Sequence, residues 1–303
     1  MGESRVDMKK RTLGKSNIEI TELSLGCMSL PTTVNEARPV VEAALDYGIN
    51  YFDTADLYDK GINEEIVGEI LKPHRKDIIL ATKVGNRWND GEEGWHWDPS
   101  PRHIENGLKA SLKRLRTDYI DVYQLHGGTI DDPWDEMIDT FEKLKKEGWI
   151  REYGISSIRP NVFTSFLQQS NAISNMMQYN ILDRRAEEWF NLISETRASI
   201  VTRGSIAKGL LTNDWPNRVS NYMGYSKEEV VEVLNKLQSA YGDLHALALA
   251  FNLRNSMIAS TVIGARTKEQ FTLNVKAYEK AQSITDFSLV HNITKQEKYT
   301  DHR

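Results

Sequence analysis

Four side chains in this 303-residue sequence, Asp53, Tyr58, Lys83 and His126, stand where chemistry is easiest to build. The run Ile49-Asn50-Tyr51-Phe52 has the β-branched, aromatic and apolar character of a buried strand, stops at Asp53, and is followed across a polar turn by Tyr58. The same grammar recurs twice: Ile78-Ile79-Leu80-Ala81-Thr82 runs into Lys83, and Ile120-Asp121-Val122-Tyr123-Gln124-Leu125 runs into His126. Three consecutive strand-like segments thus deliver a carboxylate, an ammonium and an imidazole at their C-terminal ends, the edge on which a (β/α)8 barrel keeps its chemistry.

Singly, each residue has an ordinary reading. A lone tyrosine on a turn is a packing residue, a lone lysine or aspartate an ion-pair group, and a lone histidine a satisfied core residue. Together they suit proton delivery to an oxygen that gains negative charge, as when a hydride adds to a carbonyl carbon. A phenol in free solution is a weak acid for that task. A lysine ammonium ~5 Å away favours the phenolate by roughly 3 kcal/mol at an effective dielectric of ~20. Asp53 would keep Lys83 charged and in place, and His126 would donate a hydrogen bond to the carbonyl oxygen.

Positioning these groups requires a particular alternation of elements. The segment 9–20, with Gly14-Lys15-Ser16-Asn17 in its middle, predicts a β-hairpin that caps the barrel floor, and 23–26 the first buried strand. Helices are expected over 36–47, 63–71, 101–115, 134–146, 161–169, 186–194, 227–240, 244–253 and 267–280, and the later strands over 78–82, 119–125, 151–155, 174–178, 199–202 and 259–263. Ser100 is the expected N-cap of the third helix with Pro101 as its first residue, and Gly48 the stop of the first. Eight strands alternating with helices, with one extra helix before the eighth strand, predict a parallel sheet closed into a TIM barrel across a single domain, residues 1–303. A GxGxxG after the first strand, the mark of a Rossmann fold, is missing.

Composition narrows the partners. Hydrophobic residues make up 40% and charged residues 27%, enough for a large core under a solvated surface. A net charge of −5, without any concentrated basic stretch, argues against nucleic acid or an anionic membrane as the main partner. The one cysteine, Cys27, excludes an internal disulfide, and the seven histidines lack paired metal-ligand spacing, so no metal and a cytoplasmic location are expected. The run 246–251 is too short to span a bilayer, and Gly2 is a poor acylation site because Val6 stands where Ser or Thr is needed.

The motifs Phe52-Asp53-Thr54-Ala55 with Tyr58, Thr82-Lys83-Val84, and Asp118-Tyr119-Ile120-Asp121-Val122-Tyr123-Gln124-Leu125-His126 resemble those of the aldo-keto reductases, in the same order and over nearly the whole chain. The resemblance implies a catalytic tetrad of Asp53, Tyr58, Lys83 and His126. It implies a nicotinamide cofactor laid across the barrel top, NADPH with NADH as the alternative, and a small aldehyde or ketone as substrate.

The expected cofactor contacts follow the same resemblance. Gly26 ends the first strand, Met28 lies after it, and Asp53 follows the second. Ser156, Ser157 and Gln178 face the carboxamide, Ser157 standing where an asparagine is usual. Arg203 takes the place of an aromatic that stacks on the nicotinamide, and a planar guanidinium can also stack. Gly204, Ser205, Ile206, Lys208, Gly209 and Leu210 suit the pyrophosphate, their backbone amides donating beside the Lys208 cation. Gly264, Arg266, Gln270 and Asn274 form the adenosine side, where Arg266 can fork onto a 2′-phosphate and so favours NADPH.

The insertion 85–99 carries Trp88, Trp95, His96 and Trp97, which either cover the barrel mouth or form a substrate wall. Trp88 joins Tyr58 and His126 as an expected substrate contact. Two alternatives belong to other classes. One is a redox-sensing or regulatory module with little turnover; the other is an aldolase using Lys83 as a Schiff-base lysine.

Overall fold

Residues 6–89, 91 and 93–303 are described by a computed structural model, and Gly2, considered above for acylation, lies outside them. Strands β1 (Lys10–Thr12) and β2 (Glu19–Thr21) pair antiparallel as the expected hairpin. The barrel begins with β3 (Leu23–Gly26), β4 (Tyr51–Asp53) and β5 (Ile79–Val84). Within the insertion, β6 (Asn86–Arg87) and β7 (His96–Trp97) form a second, two-residue antiparallel pair. Strands β8 (Ile120–His126), β9 (Ile150–Ser156), β10 (Ser174–Gln178), β11 (Ser199–Arg203) and β12 (Ile258–Gly264) complete the barrel. The eight parallel strands close on themselves where β12 pairs with β3, bringing Gly264 opposite Gly26. The structure is the (β/α)8 TIM barrel that the alternation predicts.

Strand periodicity sorts the core into two layers. Tyr51, Ala81, Val122, Met176 and Val201 point into the barrel, whereas Leu80 and Tyr123 point out to the helices and pack with Phe141 and Phe166. Both faces are therefore buried, as a parallel sheet demands. The hairpin residues Leu13, Ile18 and Ile20 belong to the inner cluster and plug the floor. Gly14 makes that plug possible: its φ is +56°, and a Cβ there would lie 2.1 Å from the carbonyl oxygen of Ile173. Arg11 ties the hairpin to the far end of the chain, donating to Glu22 and to the carbonyls of Leu253, Asn255 and Ile258.

The outer layer contains α1 (Val34–Asp46), α2 (Ile62–Leu71), α3 (Pro101–Arg114), α4 (Trp134–Lys146) and α5 (Pro160–Gln169). It continues with α6 (Phe190–Glu195), α7 (Lys227–Tyr241), α8 (Leu244–Leu253), α9 (Lys268–Ala281) and α10 (Ser288–Ile293). Ser100 accepts from His103 N at the start of α3, with Pro101 as the first helical residue. Helix α1 starts two residues before its expected start because Thr33, not a later residue, caps it by accepting from Glu36 N.

The helix expected over 186–194 is divided. Its first turn is a 3-10 segment, Arg185–Trp189, onto whose Glu187 the preceding Arg184 closes while Arg185 turns back onto Asp183. Beyond α10 the chain runs extended over α5, where Asn161 N donates to the carbonyl of His302 and Arg303 pairs with Glu188. Among the described residues no helix is long and apolar enough to cross a membrane.

Candidate active site

The inward parity that buries Tyr51, Ala81 and Val122 continues two residues on to Asp53, Lys83 and Gln124, and from Gln124 to His126. Lys83 lies at the centre and is fully buried. Its Nζ donates to Asp53 Oδ2 at 2.6 Å, to the Thr54 carbonyl at 2.7 Å and to Tyr58 Oη at 3.3 Å, which uses all three ammonium protons. Burial works against the charged form, but Asp53 and then Tyr58 outweigh it and hold the Lys83 pKa above its ordinary value. Gln124 Nε2 donates to the other Asp53 oxygen at 3.2 Å and fixes the carboxylate in turn.

Tyr58 sits outside the strands, on a 3-10 turn that it opens, with its N–H donating to the Ala55 carbonyl. The next three residues, Asp59, Lys60 and Gly61, have φ of 49°, 50° and 91°. Two non-glycine residues in succession in the left-handed region are strained, and they aim the phenol back over Lys83 instead of letting α2 begin at once. His126 closes the set edge-on to Tyr58, with ring centroids 6.1 Å apart at 86°. Its Nδ1 has no hydrogen-bond partner among the described residues, and burial, then the charges of Lys83 and Arg203, push its pKa down to about 3. The imidazole is therefore neutral at ordinary pH, able to give or take a hydrogen bond but not to carry charge.

Gln124 and the support beneath Lys83 escape the sequence reading. Thr82 donates to Glu64 Oε1 at 2.5 Å, and Arg114 Nε donates to Glu64 Oε2 at 2.6 Å, so α2 and α3 are tied to the strand that carries the lysine. A signal for Gln124 exists, since it is a polar residue two before His126 on the same inward face. Glu64 and Arg114 give none, being fifty positions apart on different helices.

The expected cofactor residues ring the same edge of the barrel. Ser156 lies in register with His126, and its hydroxyl makes no hydrogen bond within the protein among the described residues. Ser157 is already engaged: its N–H donates to Asn175 Oδ1, and its Oγ accepts from Arg159 N. The residue at the N-cap of α5 is Arg159, so Ser157 caps the turn before the helix and not the helix itself. Gln178 Nε2 donates to Asp183 Oδ2 at 2.8 Å, and its Oε1 accepts from Arg203 at 3.3 Å, which leaves Arg203 exposed at the rim.

In the turn after β11 the N–H groups of Ala207, Gly209 and Leu210 donate to carbonyls of the turn itself, which narrows the expected run of donors to Gly204, Ser205, Ile206 and Lys208. Gly204, Ala207, Lys208 and Gly209 all have positive φ, and a short bond between the Ser205 and Thr261 hydroxyls anchors the turn to β12. Gly26 and Gly264 face each other at the barrel seam, with Met28 exposed beside them.

On α9, Thr267 caps the helix by accepting from Gln270 N, and the Gln270 side chain accepts from Arg266 N at 2.8 Å. The exposed Arg266 guanidinium has no partner among the described residues. Asn274 is buried beside His245 with its Nδ2 unpaired among the described residues. Free donors and cations spaced from β9 to α9 fit a dinucleotide with a carboxamide at one end and phosphates at the other.

The aromatics of the insertion part company. Trp97 lies over Gly85 and Gly127, just after Val84 and His126, and its Nε1 donates to Asp132 Oδ1 at 2.9 Å, so it covers the mouth. Trp88 lines a cavity against α3, with none of the tetrad residues among its walls. Trp95 and His96 are exposed.

The sequence model of the Aldo/keto reductase family matches residues 22–295. Among curated proteins, the uncharacterized oxidoreductase YqkF of Bacillus subtilis (strain 168) is 48% identical over 306 residues, covering 98% of this chain and 100% of that protein. Among solved structures, the holo form of aldo-keto reductase AKR11C1 from Bacillus halodurans superposes with a TM-score of 0.92 at 49% identity, covering 98% of this chain and 99% of that one. A probable voltage-gated potassium channel subunit beta of Arabidopsis thaliana is 28% identical over 316 residues, covering 93% of this chain and 94% of that protein. The family match takes in all eight barrel strands, and the chain accordingly belongs to the aldo/keto reductases, oxidoreductases that act on carbonyl compounds with a nicotinamide cofactor.

Proposed function

We propose that this protein reduces an aldehyde or ketone to the alcohol with NADPH, Tyr58 giving the proton. The observation that carries this reading is the Lys83 ammonium, held by Asp53 and the Thr54 carbonyl and donating its third bond to the Tyr58 oxygen. The bound cofactor supplies the hydride. Tyr58 protonates the oxygen of the reduced carbonyl, Lys83 stabilises the phenolate left behind, and neutral His126 orients the carbonyl by a hydrogen bond.

Ser156, Ser157 and Gln178 hold the carboxamide, for which Gln178 exchanges its bond to Arg203 or Asp183. Arg203 faces the nicotinamide, and Gly204, Ser205, Ile206 and Lys208 face the pyrophosphate. The unpaired Arg266 guanidinium takes the 2′-phosphate, which is the ground for NADPH over NADH. The likeness to a channel beta subunit favours a second reading, a cofactor-binding redox sensor with little turnover.

A carbonyl-substrate screen with NADPH and NADH in parallel, followed by loss of reduced-cofactor absorbance, separates the two. Turnover with NADPH supports the reductase, tight cofactor binding without turnover supports the sensor, and borohydride trapping of a carbonyl substrate on Lys83 would instead make the barrel an aldolase.

A further inference from the structure

The amide of Gln178 is held in one orientation by three neighbours. Its Nε2 donates to Asp183 Oδ2 at 2.8 Å and, weakly, to Met223 Sδ at 3.8 Å, while its Oε1 accepts from Arg203 Nη1 at 3.3 Å. A carboxylate only accepts and a guanidinium only donates, so charge alone decides which end of the amide faces which partner. Both amide hydrogens are used. Among the described residues Oε1 accepts once, on the side of the exposed Arg203, and has a second lone pair.

Asp183 and Met223 are themselves fixed, by separate routes to one segment. Asp183 is 3% exposed, and Arg185 forks onto it with Nε at 2.8 Å from Oδ1 and Nη2 at 2.9 Å from Oδ2. The same guanidinium lies 4.7 Å over the ring of Tyr299, beyond α10. Met223 stands in a turn closed by Tyr222 and Tyr225, whose N–H groups each donate to the other's carbonyl. Asn180 Nδ2 ties that turn to the cofactor edge, donating to the Tyr222 hydroxyl at 2.9 Å and to the Gly204 carbonyl at 2.8 Å. On its other side the Tyr225 hydroxyl accepts from Lys295 N at 2.5 Å, and Lys295 Nζ donates to the Gly224 carbonyl at 2.6 Å. Two chains of contacts thus run from 295–299 to one amide nitrogen. Packing does not account for the Met223 branch: the side chain is 42% exposed, and its φ of 49° is a left-handed conformation that costs energy.

We propose that Asp183 and Met223 are positioning residues that fix Gln178 as a hydrogen-bond acceptor toward the nicotinamide carboxamide, and that the C-terminal segment anchors both. This rests on the assignment of the carboxamide to Gln178 above. The cofactor then displaces only Arg203, which is freed to face the ring, and Gln178 accepts from the carboxamide NH2 without turning over. The site selects a ring that bears that NH2 over one that offers a carbonyl alone.

The test is titration with NADP+ and with 3-acetylpyridine adenine dinucleotide phosphate, in which a methyl group replaces the carboxamide NH2, followed by quenching of tryptophan fluorescence. The wild type should bind NADP+ about tenfold more tightly. In Asp183→Asn, Arg185 keeps the one remaining oxygen and the new NH2 turns to Gln178, whose amide must reverse; the preference should fall to within about twofold. Met223→Leu removes the second hold at an exposed position. It should lower the preference about threefold with an unchanged melting temperature, and it decides the matter if Asp183→Asn does not fold. Tyr225→Phe, which removes the oxygen that Lys295 N meets, should lower it likewise. A loss of packing alone would weaken both ligands equally and leave the ratio where it was. Gln178→Ala should abolish the preference. If the wild type shows no preference, or Gln178→Ala keeps it, the carboxamide does not lie on Gln178 and that assignment falls together with the proposal. If Gln178→Ala abolishes the preference while Met223→Leu and a folded Asp183→Asn retain it in full, the proposal alone is overturned.

Discussion

Replacing Tyr58 by phenylalanine removes one oxygen and leaves the frame around it standing. Lys83 keeps Asp53 Oδ2 at 2.6 Å and the Thr54 carbonyl at 2.7 Å, so the ammonium is not orphaned. The stability cost is that of one hydroxyl hydrogen bond, about 1 kcal/mol. The chemical cost is larger. With Lys83 Nζ at 3.3 Å, a phenolate forming at that position gains about 5 kcal/mol of attraction at an effective dielectric of ~20. The mutant has no oxygen to receive it. A positioned general acid contributes about 10²- to 10⁴-fold, so kcat for carbonyl reduction should fall by about 10³-fold. The cofactor Kd, read by fluorescence titration, should stay within about threefold, since Lys83 and the rim residues are undisturbed. Stopped-flow single turnovers place the loss on the chemical step. If the mutant keeps more than about a tenth of wild-type turnover, the proton comes from another group and Tyr58 is a wall of the pocket.

Arg266→Ala should weaken NADPH binding far more than NADH binding, because only NADPH carries the phosphate that a guanidinium can fork onto; equal losses in fluorescence titrations would remove Arg266 from that role. Arg203→Tyr replaces a charged platform by an uncharged one of similar area. It should tighten the oxidised cofactor relative to the reduced, and an unchanged ratio of the two dissociation constants would show that Arg203 does not face the nicotinamide ring. His126 supplies a pH prediction. The unfolded imidazole takes up its proton near 6.5 and the folded one only at about 3. Between those values the unfolded state binds more protons, so stability falls with falling pH by up to about 1.4 kcal/mol per unit. His126→Gln should therefore shrink the stability difference between about pH 7 and about pH 5 by about 2 kcal/mol in urea melts. An undiminished difference would mean that His126 is protonated in the folded protein.

Asp53, Lys83 and His126 are legible in the sequence because a strand end is a sharp boundary: an apolar run that halts at one polar residue announces both the edge and the side chain. Tyr58 is legible only through its spacing, since its aim depends on Asp59 and Lys60 adopting left-handed backbone that neither residue type advertises. The turn after β11 shows the same limit. Its residues can be named from the sequence, but which amides stay free follows from the positive φ of Ala207 and Lys208 and the bonds they close. Gln178 appears in the sequence as a free amide, and its ties to Asp183 and Arg203 appear only when β10, β11 and the following loop are brought together. The 3-10 opening of the helix expected over 186–194 is invisible because i, i+3 spacing serves both helix types over one turn. Among the aromatics of the insertion, sequence position does not separate Trp97 over the mouth from Trp88 against α3; only the antiparallel pairing of β6 with β7 does.

The two-residue step from Ala81 to Lys83 also governs which length changes the gene can tolerate. Deleting one residue upstream within β5 would turn Thr82 toward the barrel axis and swing Lys83 out among the helices, while leaving composition almost unchanged. The same holds for one-residue insertions ahead of Asp53 in β4 or His126 in β8. Past Lys83 and His126 the constraint eases, because the β6–β7 pair and the segment after Gly127 lead to α3 and α4 without carrying a tetrad residue, whereas past Asp53 it persists as far as Tyr58 and the turn that aims it. Single-residue insertions and deletions should therefore be lethal to activity below the rim and between Asp53 and Tyr58, and tolerated in the segments that follow Gly85 and Gly127, so that variation in length there can reshape the pocket without moving the groups that carry the proton.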